Sequence, residues 1–371
     1  MKNIHKLMLA LTLSLGLVCC SDDFLNVPPK GAFNANVLNT ADGVNKALLA
    51  AYSRLKGVNG AAPTGTLFAN LQGGEEHKGS ISTDQAIMIE FEKHELSTQN
   101  TFVQTFWTTH YDAVYRTNLV LHSVPNATGL TDAEKLQITA EARFLRAHFY
   151  FQLKRVYKNI PWIDEKAEES GDVKVPNVDE AGNYVNIWQN IQDDFDFARK
   201  NLSETKTDAG RANRWAAETY YAKVLLYRGN EENSTSRYLE ALSVINTVIA
   251  NGKTAGGTKY ALMPNYHDNF NADKENNAEG VFAVQLSVND GTAGGQNGNP
   301  ESQFGGIYRG AGSGQKFGFY QPTQWFVDHY RVDANGLPYL DMFSTNPASL
   351  KSDDGTNANA PFVIDTNPVD P

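Results

Sequence analysis

Residues 141–151, with the sequence Glu-Ala-Arg-Phe-Leu-Arg-Ala-His-Phe-Tyr-Phe, lie in the middle of a long helical pattern. Thr131 and Glu134 form a capping box where the pattern begins, and Pro161 lies beyond its end. Apolar side chains recur inside the pattern at spacings that place them on one face of a helix. The sequence therefore predicts a helix from residue 131 to about residue 157.

Similar patterns lie on both sides of this segment. Apolar stripes with three-, four- and seven-residue steps predict further helices at residues 41–55, 102–124, 186–202, 212–227 and 236–250. Amphipathic helices of this kind must stack to bury their apolar faces. Their spacing is looser than the period of about 34 residues of tetratricopeptide repeats. We predict a mainly α protein built from paired helices.

The remaining parts of the chain have a different character. Residues 57–80 and 289–314 are rich in Gly and small polar residues, and we expect long loops there. Residues 280–288 predict a strand, and residues 322–330 a short helix. The expected result is an irregular layer, with a little β structure, laid on the helices.

The N-terminus has the order of charge and hydropathy of a secretory signal. Two lysines precede an apolar run of about a dozen residues, whereas a helix that spans a bilayer needs ~20. The run ends at Leu17-Val-Cys-Cys20, which resembles a lipobox, and the small residue before Cys20 makes it the better candidate for lipidation. Residues 1–19 are then a signal peptide, and residues 20–40 a lipidated N-terminus and tether. The alternative is an ordinary secretory peptide with two incidental cysteines.

Charge and cysteine content restrict the possible partners. The net charge is −10 and no cysteine follows Cys20, so the mature chain has neither a disulfide nor a thiolate metal site. We expect no binding to nucleic acid, because the acidic balance provides no basic surface. A neutral partner fits this charge better than a polyanion.

The ordered landmarks of the chain resemble the SusD/RagB family of outer-membrane nutrient-binding lipoproteins. These landmarks are the tether 20–28, the helical residues Trp107, Tyr111 and Asn118, and the segments 141–151, 211–217, 222–227, 269–270 and 322–330.

The resemblance implies a tetratricopeptide-like scaffold, at residues 41–252, and an irregular ligand-face region at 253–371. It also implies an outer-membrane lipoprotein that faces the cell exterior, binds glycans and delivers them to a SusC-like TonB-dependent transporter. Ser21-Asp22-Asp23 resembles the acidic signal for the outer surface, although a solvated tether explains it equally well. Family members usually continue well past the motif at 322–330, so we expect the family's C-terminal part to be missing here.

Two alternatives to a glycan-binding lipoprotein remain: a secreted glycoside hydrolase and a peptide-binding surface lipoprotein. Glycoside hydrolysis needs two carboxylates that flank the bond, and the pairs Glu75-Glu76 and Asp193-Asp194 are adjacent in sequence and point in different directions. The histidines lack a zinc spacing, and residues 333–336 lack the alternating ligands of a calcium loop. We therefore expect no enzyme activity, no metal and no cofactor.

Sugar rings have an apolar face ringed by hydroxyls, so a glycan site needs aromatic platforms beside polar side chains. A stretch from 304 to 325 offers both, and the predicted ligand-binding residues are Tyr308, Phe319, Tyr320, Gln321 and Trp325. The loop at 57–80, with Gln72 and His77, is a second candidate for lining the same ligand site. Trp107, Trp188 and Trp215 fall on helical stripes and are expected in the core.

Overall fold

A computed structural model describes residues 35–56, 67–171, 174–287, 290–291, 318–323, 326–327 and 330 of the chain. The α-helices in this part are α1 (Ala35–Leu38), α2 (Ala41–Tyr52), α3 (Ile89–Glu92), α4 (Thr101–Ser123), α5 (Asp132–Tyr157), α6 (Glu165–Ser170), α7 (Trp188–Asn201), α8 (Arg214–Glu231) and α9 (Thr235–Asn251). The strands are β1 (Glu76–Gly79) and β2 (Phe319–Pro322). Short 3-10 turns lie at Ser53–Lys56, Ala86–Met88, Val124–Asn126, Tyr266–Phe270 and Ala272–Lys274, and a π-helical turn lies at Leu67–Leu71.

The long helices stack in chain order, each against the next. The helix α5 packs between α4 and α7, while α8 packs between α7 and α9, and α2 covers α4. Each helix predicted from the apolar stripes is present within a few residues of its expected bounds. The structure thus confirms the mainly helical scaffold.

Side-chain caps explain where several helices begin. The predicted capping box at the start of α5 is formed, with Thr131 Oγ1 accepting from Glu134 N at 3.3 Å and Glu134 Oε2 accepting from Thr131 N at 2.8 Å. Asn100 caps α4, and Asn213 caps α8 by accepting from Ala216 N at 2.8 Å.

The main core lies between these helices. It contains the buried aromatic side chains that the central helix segment carries, including Phe144, Phe149 and Tyr150, together with Trp188 and Tyr221 from α7 and α8. Trp188 and Trp215 are 2% and 3% exposed, which confirms their expected place in the core. Trp107 is only half-buried.

A buried ionic network crosses the core. The Arg146 guanidinium donates to both carboxylate oxygens of Asp194, at 2.7 and 3.0 Å, and to Asn118 Oδ1 at 3.1 Å. It also pairs with Glu165. Asp194 therefore serves as a structural partner of Arg146, which agrees with the view that the adjacent carboxylates 193 and 194 do not form a catalytic pair.

Two predictions about the irregular layer are wrong. No strand is assigned among residues 280–287; Val281 and Phe282 instead pack against the helical core, where the Phe282 and Phe144 rings lie 5.1 Å apart. The stretch 57–80 is not a continuous loop, because residues 67–71 form a helical turn and Glu76–Gly79 forms β1. Residues 57–66 lie outside the described part.

Among the helices of the described part, none is long and apolar enough to cross a membrane.

Candidate functional site

Two distant segments of the chain pair as an antiparallel two-stranded sheet. In β1 and β2, Glu76 lies opposite Pro322, His77 opposite Gln321, and Gly79 opposite Phe319. Backbone hydrogen bonds extend the pairing at both ends, from Ser80 N to Gly318 O at 2.9 Å and from Thr323 N to Glu75 O at 3.0 Å. We call β1, β2 and the 80–85 loop that follows β1 the rim.

Glycine is required where the two strands approach most closely. Gly79 has a φ of +70°, and a Cβ atom there would lie 2.2 Å from the carbonyl oxygen of Gly318. A side chain at this position would therefore meet both an unfavourable backbone conformation and a backbone atom that cannot move aside.

The carboxylate of Glu92, at the end of α3, fixes β1 to the helix beneath it. One oxygen lies 2.8 Å from His77 Nδ1, and the other accepts from the backbone N–H of Lys78 at 3.0 Å. Burial raises the pKa of Glu92, but these hydrogen bonds outweigh it, so the pKa lies below its usual value. Glu92 is therefore ionised over the physiological pH range.

Lys78 is fully buried beneath the rim. Its ammonium group donates to the carbonyl oxygens of Gly79, Ile81 and Asp84 at 2.7, 2.9 and 2.9 Å. The ring of Phe319 covers the same group, with 5.3 Å between Nζ and the ring centroid.

The 80–85 loop presents mixed chemistry to solvent. Ser82, Thr83 and Gln85 are exposed, and Ile81 is 62% exposed beside them. Both ends of the loop have left-handed backbone conformations, with φ of +53° at Ser80 and +47° at Gln85. Hydroxyl and amide groups next to an exposed apolar side chain suit the amphipathic surface of a sugar.

Phe319 requires a correction to the sequence prediction. The ring is 3% exposed and lies in a small apolar cluster with Leu67, Leu71, Met88 and Phe91. A ring so enclosed offers no free face to a ligand. We therefore assign Phe319 to the support of the rim and no longer to the contacts with a ligand.

The other predicted ligand residues divide into two groups. Tyr320 is half-buried next to the same cluster, with a φ of +61°, and Gln321 is exposed and donates through Nε2 to Gly318 O at 3.1 Å. Tyr308 and Trp325 lie outside the described residues, as does Cys20. The pairing of His77 with Gln321 brings together the two stretches that the sequence offered as candidates.

An aromatic groove of about 940 Å³ is lined by residues from the segment before β1 and from α4, α5 and α8. Phe68 and Gln72, which precede β1, form one side of it, and Trp107, Tyr157 and Tyr227 contribute further rings. The Trp107 and Tyr157 rings meet edge to face at 5.0 Å. Sequence reasoning missed this groove because Trp107 lies on a helical stripe, which is also where a core residue lies.

Within the described ranges, no group of three or more His, Cys, Asp or Glu residues could hold a metal ion.

Comparison with known proteins identifies the family of this helical scaffold. Residues 23–226 match the model of a SusD-like family, described as starch-binding and associating with the outer membrane. The match covers more than half of the chain. The chain therefore belongs to the SusD-like family.

Two similar SusD-like proteins are longer than this chain. A SusD-like protein of Bacteroides ovatus is 29% identical over 287 residues, which is 76% of this chain and 49% of the relative. The starch-binding protein SusD of Bacteroides thetaiotaomicron is 28% identical over 161 residues, 43% of this chain and 26% of that protein. The chain thus spans about half the length of the first of these relatives.

Solved structures share the fold. Surface glycan-binding protein A from Bacteroides thetaiotaomicron, in complex with laminarihexaose, superposes with a TM-score of 0.60 at 19% identity, over 79% of this chain and 61% of that one. A SusD superfamily protein from Parabacteroides distasonis gives a TM-score of 0.65 at 21% identity, over 81% and 60%. At these identities the likeness concerns the fold alone.

Proposed function

We propose that the chain is a non-catalytic surface lipoprotein that binds glycans at the rim and passes them to a SusC-like TonB-dependent outer-membrane transporter. The observation that carries the glycan-binding part is the β1–β2 pairing. It gathers Gln321, Tyr320 and the 80–85 loop at one place on the scaffold. Family membership supports the proposal, because the family is described as starch-binding.

The chemistry of the rim suits recognition better than hydrolysis. A glycosidase needs one carboxylic acid with a raised pKa, which protonates the leaving group. Hydrogen bonds from Ser97 and Asn100 lower the pKa of Glu90, and the pKa of Glu92 is lowered as well. Glu76 accepts from Asn70 Nδ2 at 3.1 Å. These carboxylates are already engaged as acceptors, and the two shifted pKa values go in the wrong direction for a general acid.

A binding screen tests the proposal. Residues 21–371 would be titrated with a panel of soluble glycans, including laminarin and starch, and with a peptide mixture. We expect saturable binding of at least one glycan without release of reducing ends. Binding of peptides alone would favour a peptide-binding lipoprotein, and reducing-end release that a single carboxylate substitution abolishes would favour a hydrolase.

Lipid anchoring is a separate part of the proposal and rests on the sequence around Cys20. Membrane fractionation with a labelled fatty acid tests it. We expect label on the full chain and none on Cys20→Ala, which should be released as a soluble product. Equal labelling of both would show that Cys20 is not the modified residue.

The transporter is the least direct part, since it follows from the family resemblance. Co-expression with the SusC-like protein encoded by the same organism, followed by affinity purification through a tag on the lipoprotein, would test it. We expect the two proteins to purify together from detergent-solubilised outer membranes. Recovery of the lipoprotein without the transporter would contradict this partnership.

A further inference from the structure

The geometry points to Lys78 as the positioning residue of the ligand face: its buried ammonium group holds the 80–85 loop in the conformation that binds a glycan. This inference rests on the proposed function for the identity of the ligand. The mechanical part of it, that Lys78 sets the loop conformation, rests on the contacts alone.

The number of hydrogen bonds matches the number of donors. A lysine ammonium has three N–H groups, and Lys78 directs them to three carbonyl oxygens, those of Gly79, Ile81 and Asp84. Two of these carbonyls belong to the 80–85 loop and the third to the residue that precedes it. The loop therefore folds around one charged atom, and each bond is charge-assisted.

Burial makes this arrangement strong and local. Lys78 has no exposed surface, and Phe319 from β2 closes the site over Nζ. Lysine is almost never fully buried unless its charge is compensated, because the charged group loses its hydration. Burial accordingly lowers the pKa of Lys78. The three carbonyls accept its N–H groups, and the nearby carboxylates of Asp84 and Glu92 favour its charge. Ile81, Ser82 and Thr83 are exposed to solvent.

The backbone of the loop needs such a support. Ser80 and Gln85 both have left-handed backbone conformations, which residues other than glycine rarely adopt. They flank residues 81–84, in which the carbonyls of Ile81 and Asp84 accept from Lys78. Without the ammonium group, the three carbonyls would need other donors. The hydrogen bonds that offset the unfavourable backbone conformations of Ser80 and Gln85 would also be lost.

Hydrogen exchange followed by mass spectrometry tests the mechanical part on residues 21–371. Lys78→Met keeps the length of the side chain and removes its three donors. We expect backbone amides in residues 80–85 to exchange at least tenfold faster, with unchanged exchange in α4, α5, α7 and α8. Lys93→Met, which replaces an exposed lysine next to α3, is the matched control and should exchange as the unaltered protein does.

A second variant separates the loop from its strand. Glu92→Gln weakens the link between β1 and α3 but leaves the bonds of Lys78 Nζ in place, so exchange in 80–85 should change much less than in Lys78→Met. If Lys78→Met does not fold, Lys78→Gln, which retains an amide donor, should show intermediate exchange. Unchanged exchange in 80–85 in the lysine variants, or equal acceleration throughout the scaffold, would overturn the assignment.

Calorimetric titration with laminarin, or with the glycan that the panel selects, then tests the consequence for binding. We expect Lys78→Met to bind at least tenfold more weakly while its helical scaffold stays folded, and Lys93→Met to bind normally. Faster exchange in 80–85 with unaltered affinity would show that Lys78 holds a loop that is not the ligand face. Absence of binding to every glycan by the unaltered protein would contradict the proposed function, whereas the exchange data still decide the role of Lys78.

Discussion

His77 and Gln321 lie directly opposite each other across the β1–β2 pair, although they come from distant parts of the chain. His77 is also held by Glu92, at 2.8 Å. The side chain of Gln321 is exposed, so the pairing delivers a polar group to the surface above a fixed support. The rim is therefore a junction between the two candidate regions, and its integrity depends on close backbone contact.

Gly79→Ala should open this junction. The added Cβ would lie 2.2 Å from Gly318 O at a φ of +70°, and strain of this kind costs on the order of 1 to 3 kcal/mol. We expect faster hydrogen exchange in β1 and β2 and weaker glycan binding, with the helical scaffold intact. Gly73→Ala is the matched control, because nothing lies within 4 Å of its Cβ position. Equal behaviour of the two variants would contradict the tight approach of the strands.

Arg146→Met should destabilise the scaffold strongly, because the buried Asp194 loses its two close hydrogen bonds and keeps the longer contact with Arg143, at 3.8 Å. Removing one member of a buried ion pair costs about 3 to 5 kcal/mol. The double variant Arg146→Met with Asp194→Leu removes both charges and should recover a large part of that loss. Urea denaturation measures both free energies of unfolding. A double variant less stable than the single one would show that the network does more than compensate charge.

The helices could be predicted from the sequence because their signals are local. The apolar stripes recur within a few turns, and the capping box of Thr131 and Glu134 lies within four residues. The prediction of a strand at 280–288 was wrong, because a run of apolar residues indicates burial but does not specify the type of secondary structure. Val281 and Phe282 are partly buried by packing on the helices.

The rim could be predicted only in part. The stretches that carry β1 and β2 were recognised by composition, but residues 81–85 were not. No local signal indicates that Gly79 pairs with Phe319. Phe319 was misassigned for this reason. Nothing near it in the glycine-rich stretch indicates a core, and its buried position depends on pairing with the distant β1. Lys78 was missed because a lone lysine in a sequence predicts an exposed side chain, and its burial depends on the loop that closes around it.

Acidification should weaken the scaffold through two buried histidines. Burial lowers the pKa of His110 to about 4 and that of His148 to about 3, and His148 Nδ1 has no hydrogen-bond partner among the described residues. The unfolded chain binds these protons near pH 6.5, so it holds more protons than the folded chain below that pH. The free energy of unfolding is therefore unaffected by these two histidines above about pH 6.5 and decreases as the pH falls below that value.

The magnitude follows from the linkage relation. Each histidine contributes a slope of up to about 1.4 kcal/mol per pH unit below its unfolded pKa. Denaturation between pH 6.5 and 5.0 measures this slope above the range in which most carboxylates of the unfolded chain titrate, and the histidine variant assigns its share. His148→Leu should reduce the slope to about half. An unaltered slope would mean that His148 is protonated in the folded protein.

The last prediction concerns the two described residues that remain proposed ligand contacts. Tyr320→Ala removes a ring that a sugar could stack on, and loss of such an anchor typically costs about 1 to 3 kcal/mol of binding. Alanine and tyrosine are equally unfavourable at a φ of +61°, so the substitution tests the ring and adds little backbone strain. Gln321→Ala removes a polar group and should cost about 0.5 to 1.5 kcal/mol, the range of a single hydrogen bond.

Trp188→Ala and Trp215→Ala are the contrasting variants, since both rings are buried in the scaffold. They should lower the free energy of unfolding by about 3 to 5 kcal/mol, as truncation of large core aromatics does. Calorimetric titration with the selected glycan and thermal melts on all four variants separate the two behaviours. If Tyr320→Ala and Gln321→Ala bind normally at unchanged stability, the ligand does not contact β2. The aromatic groove that Trp107 lines would then be the next surface to test. Trp107→Phe suits that test, since it keeps most of the apolar packing of residue 107 and changes the aromatic face offered to a sugar.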